Sequence, residues 1–99
     1  MSDIKHELDK MRSIIDDIDD QLLRLLDLRA NAAKQVGVVK KAIDEDMNNI
    51  KDVQREEAII QRLIQHSEGP LTSDQISEIF ALIFAQSRQI QTEIKDDNS

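Results

Sequence analysis

Polar side chains interrupt the apolar stripes of three predicted helices. Arg29 stands on the first stripe, Glu56 on the second, and Ser87 and Gln91 on the third. A buried charge is costly unless a partner compensates it. One interpretation is an Arg29–Glu56 ion pair that sets the register of packed helices, as single polar residues do in coiled-coil seams. The other is a polar pocket inside a helical bundle.

Two further cations favour the pocket. Lys40 follows Arg29 by eleven residues, which is close to three helical turns, so both side chains project from nearly one face. Arg55 precedes Glu56 on the second helix. An ion pair needs two charged groups, whereas three cations with an amide and a hydroxyl are typical of a site for a small, carboxylate-rich ligand.

Arg12 lies too far along the chain to reach the same ligand from one straight helix. It precedes Arg29 by seventeen residues, which places it roughly 100° around the helix and ~25 Å along it. Two interpretations remain open. Arg12 is exposed beside acidic neighbours such as Asp9 and Asp16, or it reaches the pocket of a second, antiparallel chain.

The elements that position these residues are predicted to be three helices in a single domain, residues 1–99, of the all-α class. Helix formers dominate, and strand-like alternation is poor. Gly69 and Pro70 predict a break before the last helix, whose N-cap is Thr72 or Ser73. The tail from Lys95 is expected to fray. The predicted helices cover about residues 4–43, 52–67 and 73–94.

The first helix carries an apolar seam with heptad spacing along almost its whole length. A helix of 40 residues spans ~60 Å, whereas a compact domain of 100 residues has a radius of gyration of only ~13 Å. The two shorter helices cannot cover such a seam from end to end, so we expect an intertwined helical-bundle homodimer. The seam comprises Ile4, Leu8, Met11, Ile15, Ile18, Leu22, Leu25, Arg29, Ala32, Val36, Val39 and Ile43.

The expected stripes of the other two helices are shorter. The second contains Val53, Ile59, Ile60, Leu63 and Ile64, and the third contains Ile76, Ile79, Phe80, Ile83, Phe84, Ile90 and Ile94.

Composition excludes several classes of function. The formal net charge is -7 and no basic face is present, which argues against nucleic acid and against an anionic membrane surface. The chain has no cysteine, and His6 and His66 lack partners at the spacing of metal ligands, so no metal is expected. No apolar run approaches the ~18 residues of a membrane span, and the N-terminus is not a signal peptide. The expected location is the cytoplasm.

Three segments together resemble the all-helical class of chorismate mutases. The first helix of that family is similar to MRSIIDDIDDQLLRLLDLRANAAKQVGVVK, the start of its second helix to DVQREEAIIQRL, and its third helix to IFALIFAQSRQIQ. The resemblance covers nearly the whole chain. It implies a helical homodimer with intertwined first helices and two equivalent active sites, which agrees with the length argument.

The resemblance also implies roles for the cationic residues. Arg29 would pair with one substrate carboxylate, and Arg12 from the neighbouring subunit would pair with the other. Lys40 would contact a carboxylate and the ether oxygen of the breaking bond. Arg55 and Ser87 would complete the carboxylate side.

On the same resemblance, Gln91 would donate to the ether oxygen, and Glu56, with Asp52 nearby, would receive the ring hydroxyl. The implied reaction is the Claisen rearrangement of chorismate to prephenate in phenylalanine and tyrosine biosynthesis. This unimolecular shift needs no nucleophile, metal or cofactor. The pocket would select the reactive conformer, while Lys40 and Gln91 would stabilise charge developing on the ether oxygen.

Some interpretations remain beside this one. The chain could be a non-enzymatic helical dimerisation or regulatory module, or an isochorismate-pyruvate lyase on the same fold. Arg88 stands where relatives are usually apolar; we expect it to face solvent rather than to add a cation at the pocket edge.

Overall fold

The computed structural model describes residues 2–42 and 52–97, and every regular element within these ranges is a helix. In chain order they are α1 (Ser2–Ala42), α2 (Val53–His66) and α3 (Ser73–Asp97). The predicted all-α class and the three helices are therefore confirmed. Ile43 and the predicted connection over 44–51 lie outside the described residues.

The start of α2 is fixed by Asp52. This residue is the N-cap, and its Oδ1 accepts a hydrogen bond from the backbone N–H of Arg55 at 2.9 Å. The backbone N–H of Glu56 donates to the Asp52 carbonyl at 3.0 Å. A side-chain acceptor at this position satisfies one of the N–H groups that a helix start leaves without an internal partner. The cap therefore sets the position of Glu56 in the first turn.

The end of α2 depends on Ser67 rather than on Gly69. Ser67 is the C-cap in an extended conformation, and its N–H donates to the Ile64 carbonyl at 3.3 Å. Gly69 lies beyond this cap, with open space around its Cα. The predicted break is confirmed, but its local cause is an extended residue that turns the chain before the Gly-Pro pair.

A reciprocal capping box opens α3. The Gln75 N–H donates to Thr72 Oγ1 at 3.1 Å, and the Thr72 N–H donates to Gln75 Oε1 at 2.9 Å. This pairing satisfies two backbone donors at once, and it makes Thr72, not Ser73, the N-cap. Helix α3 continues to Asp97, three residues beyond its predicted end, because no Gly or Pro interrupts it and each added residue gains a backbone bond. The fraying of the tail from Lys95 stays a prediction.

The chain divides into two compact units, Met1–Asn31 and Ala32–Ser99, called here the N-terminal and the C-terminal unit. The described part of the N-terminal unit is helical throughout. Its residues from 3 to 31 are exposed except for three half-buried ones, Leu26, Arg29 and Ala30. Its exposed large apolar side chains are Ile4, Leu8, Met11, Ile14, Ile15, Ile18, Leu22, Leu23, Leu25 and Leu28.

The C-terminal unit contains the buried residues. Helix α2 packs against α3, and Ile76 and Phe84 of α3 are buried, as are Ala33 and Gly37 of α1. The rings of Phe80 and Phe84 lie 6.0 Å apart between centroids at an interplanar angle of 56°, a tilted arrangement that aromatic pairs favour. The half-buried apolar residues of α2 and α3 include Ile59, Ile60, Leu63, Ile64, Ile83 and Ile90.

The buried line of α1 in this unit is shifted by one residue from the predicted seam. Ala33 and Gly37 are buried, whereas Val36 and Val39 are exposed. On this stretch of α1 the buried residues are therefore the small ones, and the larger apolar residues of the predicted seam are exposed. Lys40 lies three residues after Gly37, on the same face of α1 as Ala33 and Gly37. It is half-buried.

Two expected core residues of the shorter helices are exposed. Val53 lies in the first turn of α2, and Ile79 lies on α3. At 100° per residue, Ile79 falls roughly 120° around the helix from Gln91. Burial on α3 is centred on the line through Ile76, Phe84 and Gln91, which leaves Ile79 outside it.

Candidate functional site

Gln91 is the buried polar residue of α3. Only 8% of its surface is exposed, and its Oε1 has no hydrogen-bond partner within the described parts of the chain. An unsatisfied buried acceptor costs about 1–3 kcal/mol. The amide therefore places a polar group among the buried residues of α3, whereas the others, Ile76 and Phe84, are apolar.

Ser87 precedes Gln91 by one turn of α3 and is half-buried. Its Oγ donates a hydrogen bond to the Ile83 carbonyl at 3.0 Å. In this rotamer the hydroxyl proton is directed at the helix backbone, while the oxygen lone pairs can still accept. Rotation about the Cβ–Oγ bond is therefore required before Ser87 can donate to a carboxylate.

An ion pair joins α2 to α3. Arg88 Nη1 donates to Glu56 Oε2 at 2.7 Å, and the two side chains are 29% and 22% exposed, respectively. The expectation that Arg88 faces solvent is therefore wrong. A half-buried carboxylate on α2 requires a cation, and Arg88 on the facing helix supplies one across the interface.

The other predicted residues of the C-terminal unit differ in exposure. Lys40 is half-buried on α1, whereas Asp52 and Arg55 are exposed at the start of α2. The Asp52 carboxylate is already used as a helix cap through the Arg55 N–H. The structure thus gives Asp52 a structural role in addition to the predicted one.

The N-terminal unit holds the remaining two arginines. Arg12 is exposed and Arg29 is half-buried. The observed partner of Glu56 is Arg88, so the alternative of an Arg29–Glu56 register pair is not needed to explain how this carboxylate is compensated.

Sequence reasoning missed the pairing of Arg88 with Glu56, although a signal for it was present. Glu56 lies on the apolar stripe of α2 and needs a cation, and Arg88 lies three residues before Gln91, on the same side of α3.

The C-terminal unit thus offers a half-buried cation, a buried amide, a hydroxyl and a compensated carboxylate. These groups suit recognition of a small anion that also carries a hydroxyl. Among the described residues, no group of three or more His, Asp or Glu side chains is placed to hold a metal ion. Within the same ranges, none of the helices combines the length and the apolar character needed to cross a membrane.

The described residues form an all-helical protein in which α2 and α3 pack together and an ion pair joins them. The chain belongs to the family described as chorismate mutase type II, whose family model matches residues 11–92. No curated protein matches the chain. Family membership supports chorismate mutase activity, which is an isomerisation, and implies chorismate as the substrate.

Proposed function

We propose that this chain catalyses the Claisen rearrangement of chorismate to prephenate in aromatic amino-acid biosynthesis. The observation that carries the proposal is the burial of Gln91, an amide on α3 at the position where the family resemblance implies the donor to the ether oxygen. A buried amide suits a binding site for a polar ligand, and the match of the family model to residues 11–92 favours this role over a register device.

Lys40 and Gln91 act at the reacting bond. As the ether C–O bond stretches, negative charge develops on its oxygen, and a donor fixed in advance stabilises this charge more than it stabilises the ground state. Gln91 is held by its burial, and Lys40 is half-buried beside Gly37. The reaction itself requires no group to accept or donate a proton.

The carboxylates of the substrate are bound by cations and by Ser87. In this proposal Arg29 pairs with one carboxylate, Arg12 of the second copy pairs with the other, and Arg55 supports them. The assignment of these arginines rests on the family resemblance. Ser87 contributes after its hydroxyl turns away from the Ile83 carbonyl.

The ring hydroxyl of the substrate donates to Glu56, with Asp52 nearby. Glu56 is half-buried and held by an arginine on α3. Asp52 is exposed, and its carboxylate caps α2. Its main contribution is to fix the helical turn that carries Glu56. The same carboxylate would make any contact between Asp52 and the substrate.

The functional form proposed is an intertwined homodimer. The exposed apolar residues of the N-terminal unit follow the heptad seam, and Leu25, for example, is 62% exposed. Contiguous apolar surface of this extent is typical of an interaction site. A second copy carries the same seam and is self-complementary, as two-fold interfaces are.

Incubation of the purified protein with chorismate tests the activity. The diene absorbance of chorismate should be lost and prephenate should accumulate. Lys40→Ala should lower kcat by about 10²–10³-fold, the range for loss of one aligned donor. Lys41→Ala is the matched control, because Lys41 is the exposed neighbour, and it should leave the rate unchanged.

Absence of turnover by the wild-type protein would refute the proposed function. Release of pyruvate from isochorismate without turnover of chorismate would replace it by a lyase. Full activity of Lys40→Ala would refute the site while leaving the reaction in place.

Mixing two inactive variants tests whether the site is shared. If Arg12 acts in the partner's site, a heterodimer of Arg12→Ala and Arg29→Ala chains has one intact site and one doubly damaged site. After random exchange of subunits, the mixture should recover about a quarter of wild-type activity. Failure to recover activity, with exchange verified by mass, would place both arginines in the same chain's site.

A further inference from the structure

The contact between Arg88 and Glu56 joins two helices through one hydrogen bond. Arg88 Nη1 lies 2.7 Å from Glu56 Oε2, and the two residues are 32 positions apart in the chain. Charge-assisted bonds of this length are stronger and more strictly oriented than neutral ones. With 29% and 22% of the side chains exposed, water screens the pair only in part.

The geometry leaves Glu56 able to accept a second donor. An ionised carboxylate has two oxygens with about four acceptor sites, and Arg88 occupies one of them on Oε2. The Asp52 cap fixes the backbone from which Glu56 projects, while Arg88 fixes the far end of its side chain. The carboxylate is thereby held at both ends.

Charge gives Arg88 a second effect. Chorismate carries two carboxylates, and the chain itself has a formal net charge of -7. A half-buried carboxylate without a counterion would repel such a ligand, since charges interact more strongly away from bulk water. A guanidinium on Glu56 removes this repulsion and keeps the carboxylate available as a hydrogen-bond acceptor.

We infer that Arg88 is a positioning residue, which orients and neutralises Glu56 so that this carboxylate receives the ring hydroxyl of the substrate. The inference rests on the proposed function. Arg88 acts through Glu56 and does not touch the reacting atoms.

This role predicts an effect on KM rather than on kcat. The ring hydroxyl does not belong to the bonds that form and break, so its contact with Glu56 has equal strength in the ground state and in the transition state. Loss of such uniform binding raises KM and leaves kcat unchanged. A mainly structural arginine behaves differently, because a partly unfolded preparation loses kcat at constant KM.

The test is a double-mutant cycle on the full-length chain with chorismate as substrate. Arg88→Met should raise KM by about 10–100-fold, the range for a lost hydrogen bond to a charged group, with kcat within about threefold of wild type. Arg88→Lys retains the charge and should keep KM within about threefold. In a Glu56→Gln background, Arg88→Met should add less than about twofold, because the two residues act as a unit.

Arg62→Met is the matched control, since Arg62 is an exposed arginine on α2 outside the site, and it should leave both constants unchanged. An unchanged KM in Arg88→Met would overturn the inference. So would full multiplication of the KM effects of Arg88→Met and Glu56→Gln in the double variant. In both cases, turnover by the wild-type protein would still support the proposed function. A wild-type protein without turnover would refute the proposed function, and this inference with it.

Discussion

The two units of the chain place their apolar side chains differently. In the N-terminal unit no residue from 3 to 31 is buried, and the leucines and isoleucines of the seam lie at the surface. In the C-terminal unit Phe84 is 4% exposed, and α2 and α3 pack together. Periodic apolar residues alone therefore do not determine burial, which depends on whether a covering element lies within the same chain.

The polar residues differ in the same way. In the C-terminal unit, Glu56 is half-buried and pairs with Arg88. Gln91 is buried, and its Oε1 has no partner in the described structure. Arg12 of the N-terminal unit is exposed. Two residues of the proposed site, Glu56 and Gln91, are thus enclosed within the C-terminal unit, whereas the contribution of Arg12 is proposed to depend on a second copy.

The largest expected effect breaks the N-terminal seam. Ile15→Asp with Ile18→Asp places two carboxylates on it, and in a two-fold dimer four apolar side chains are lost. The cost is about 6 kcal/mol or more per dimer, or on the order of 10⁴-fold in the dissociation constant. Analytical ultracentrifugation should show monomers, and turnover should be lost with the dimer.

Ser13→Asp with Asn31→Asp is the control for these seam variants. It adds the same charge on the opposite, exposed side of the helix and should leave the dimer intact. A dimeric and active Ile15→Asp, Ile18→Asp protein would show that the exposed seam is not the interface.

The next effect separates activity from stability at Gln91. Gln91→Leu should lower kcat by about 10²–10³-fold through loss of a donor. The free energy of unfolding should rise by about 1–3 kcal/mol, because the unsatisfied buried acceptor is removed. Thermal denaturation and steady-state kinetics measure the two effects, with Gln89→Leu as the exposed control.

The pH dependence sharpens the same prediction. An amide donates in either acidic or neutral solution, so the wild-type rate should be flat over about pH 5–8. In Gln91→Glu, the carboxyl donates only when protonated, and activity should fall as pH rises. A sharp fall of the wild-type rate above about pH 5.5 would contradict the role of Gln91.

A smaller effect concerns the core of the C-terminal unit. Phe84→Ala should lower the free energy of unfolding by about 3–5 kcal/mol, as other buried aromatic truncations do. Leu82→Ala, two residues away at 64% exposure, should cost less than about 0.5 kcal/mol. Urea denaturation measures both. Equal costs would mean that the cover provided by a second copy extends over this face of α3.

The smallest effect is at the capping box. Thr72→Ala removes the acceptor for the Gln75 N–H and should cost about 1 kcal/mol. Ser73→Ala, one residue later and outside the box, should have little effect. A similar loss in both variants would return the N-cap assignment to Ser73.

Local chemistry made the helices predictable from the sequence. Asp52 and Thr72 have short polar side chains that cap a helix, and the order of three helices follows from apolar periodicity. The burial of Gly37 rather than Val36 was not predictable, because a heptad pattern assigns the core to the larger apolar residue. Periodicity identifies a face only to within a residue or so.

The candidate site was predictable in residue type and less so in pairing. Glu56 and Gln91 were recognised as polar residues on apolar stripes, and both are enclosed in the structure. The cation that meets Glu56 was not identified, because several arginines satisfy the need for charge. The choice of Arg88 depends on the crossing of α2 and α3, which a single sequence does not specify.

The buried carbonyl of Gln91 has a consequence for how this chain can drift under selection. If Gln91→Leu raises the free energy of unfolding as predicted, mutations that favour robust folding alone lead toward a leucine at position 91. Under the proposed function, such a change would remove the donor at the ether oxygen while keeping the helices. On that proposal, selection for the fold and selection for the reaction act in opposite directions on this one side chain.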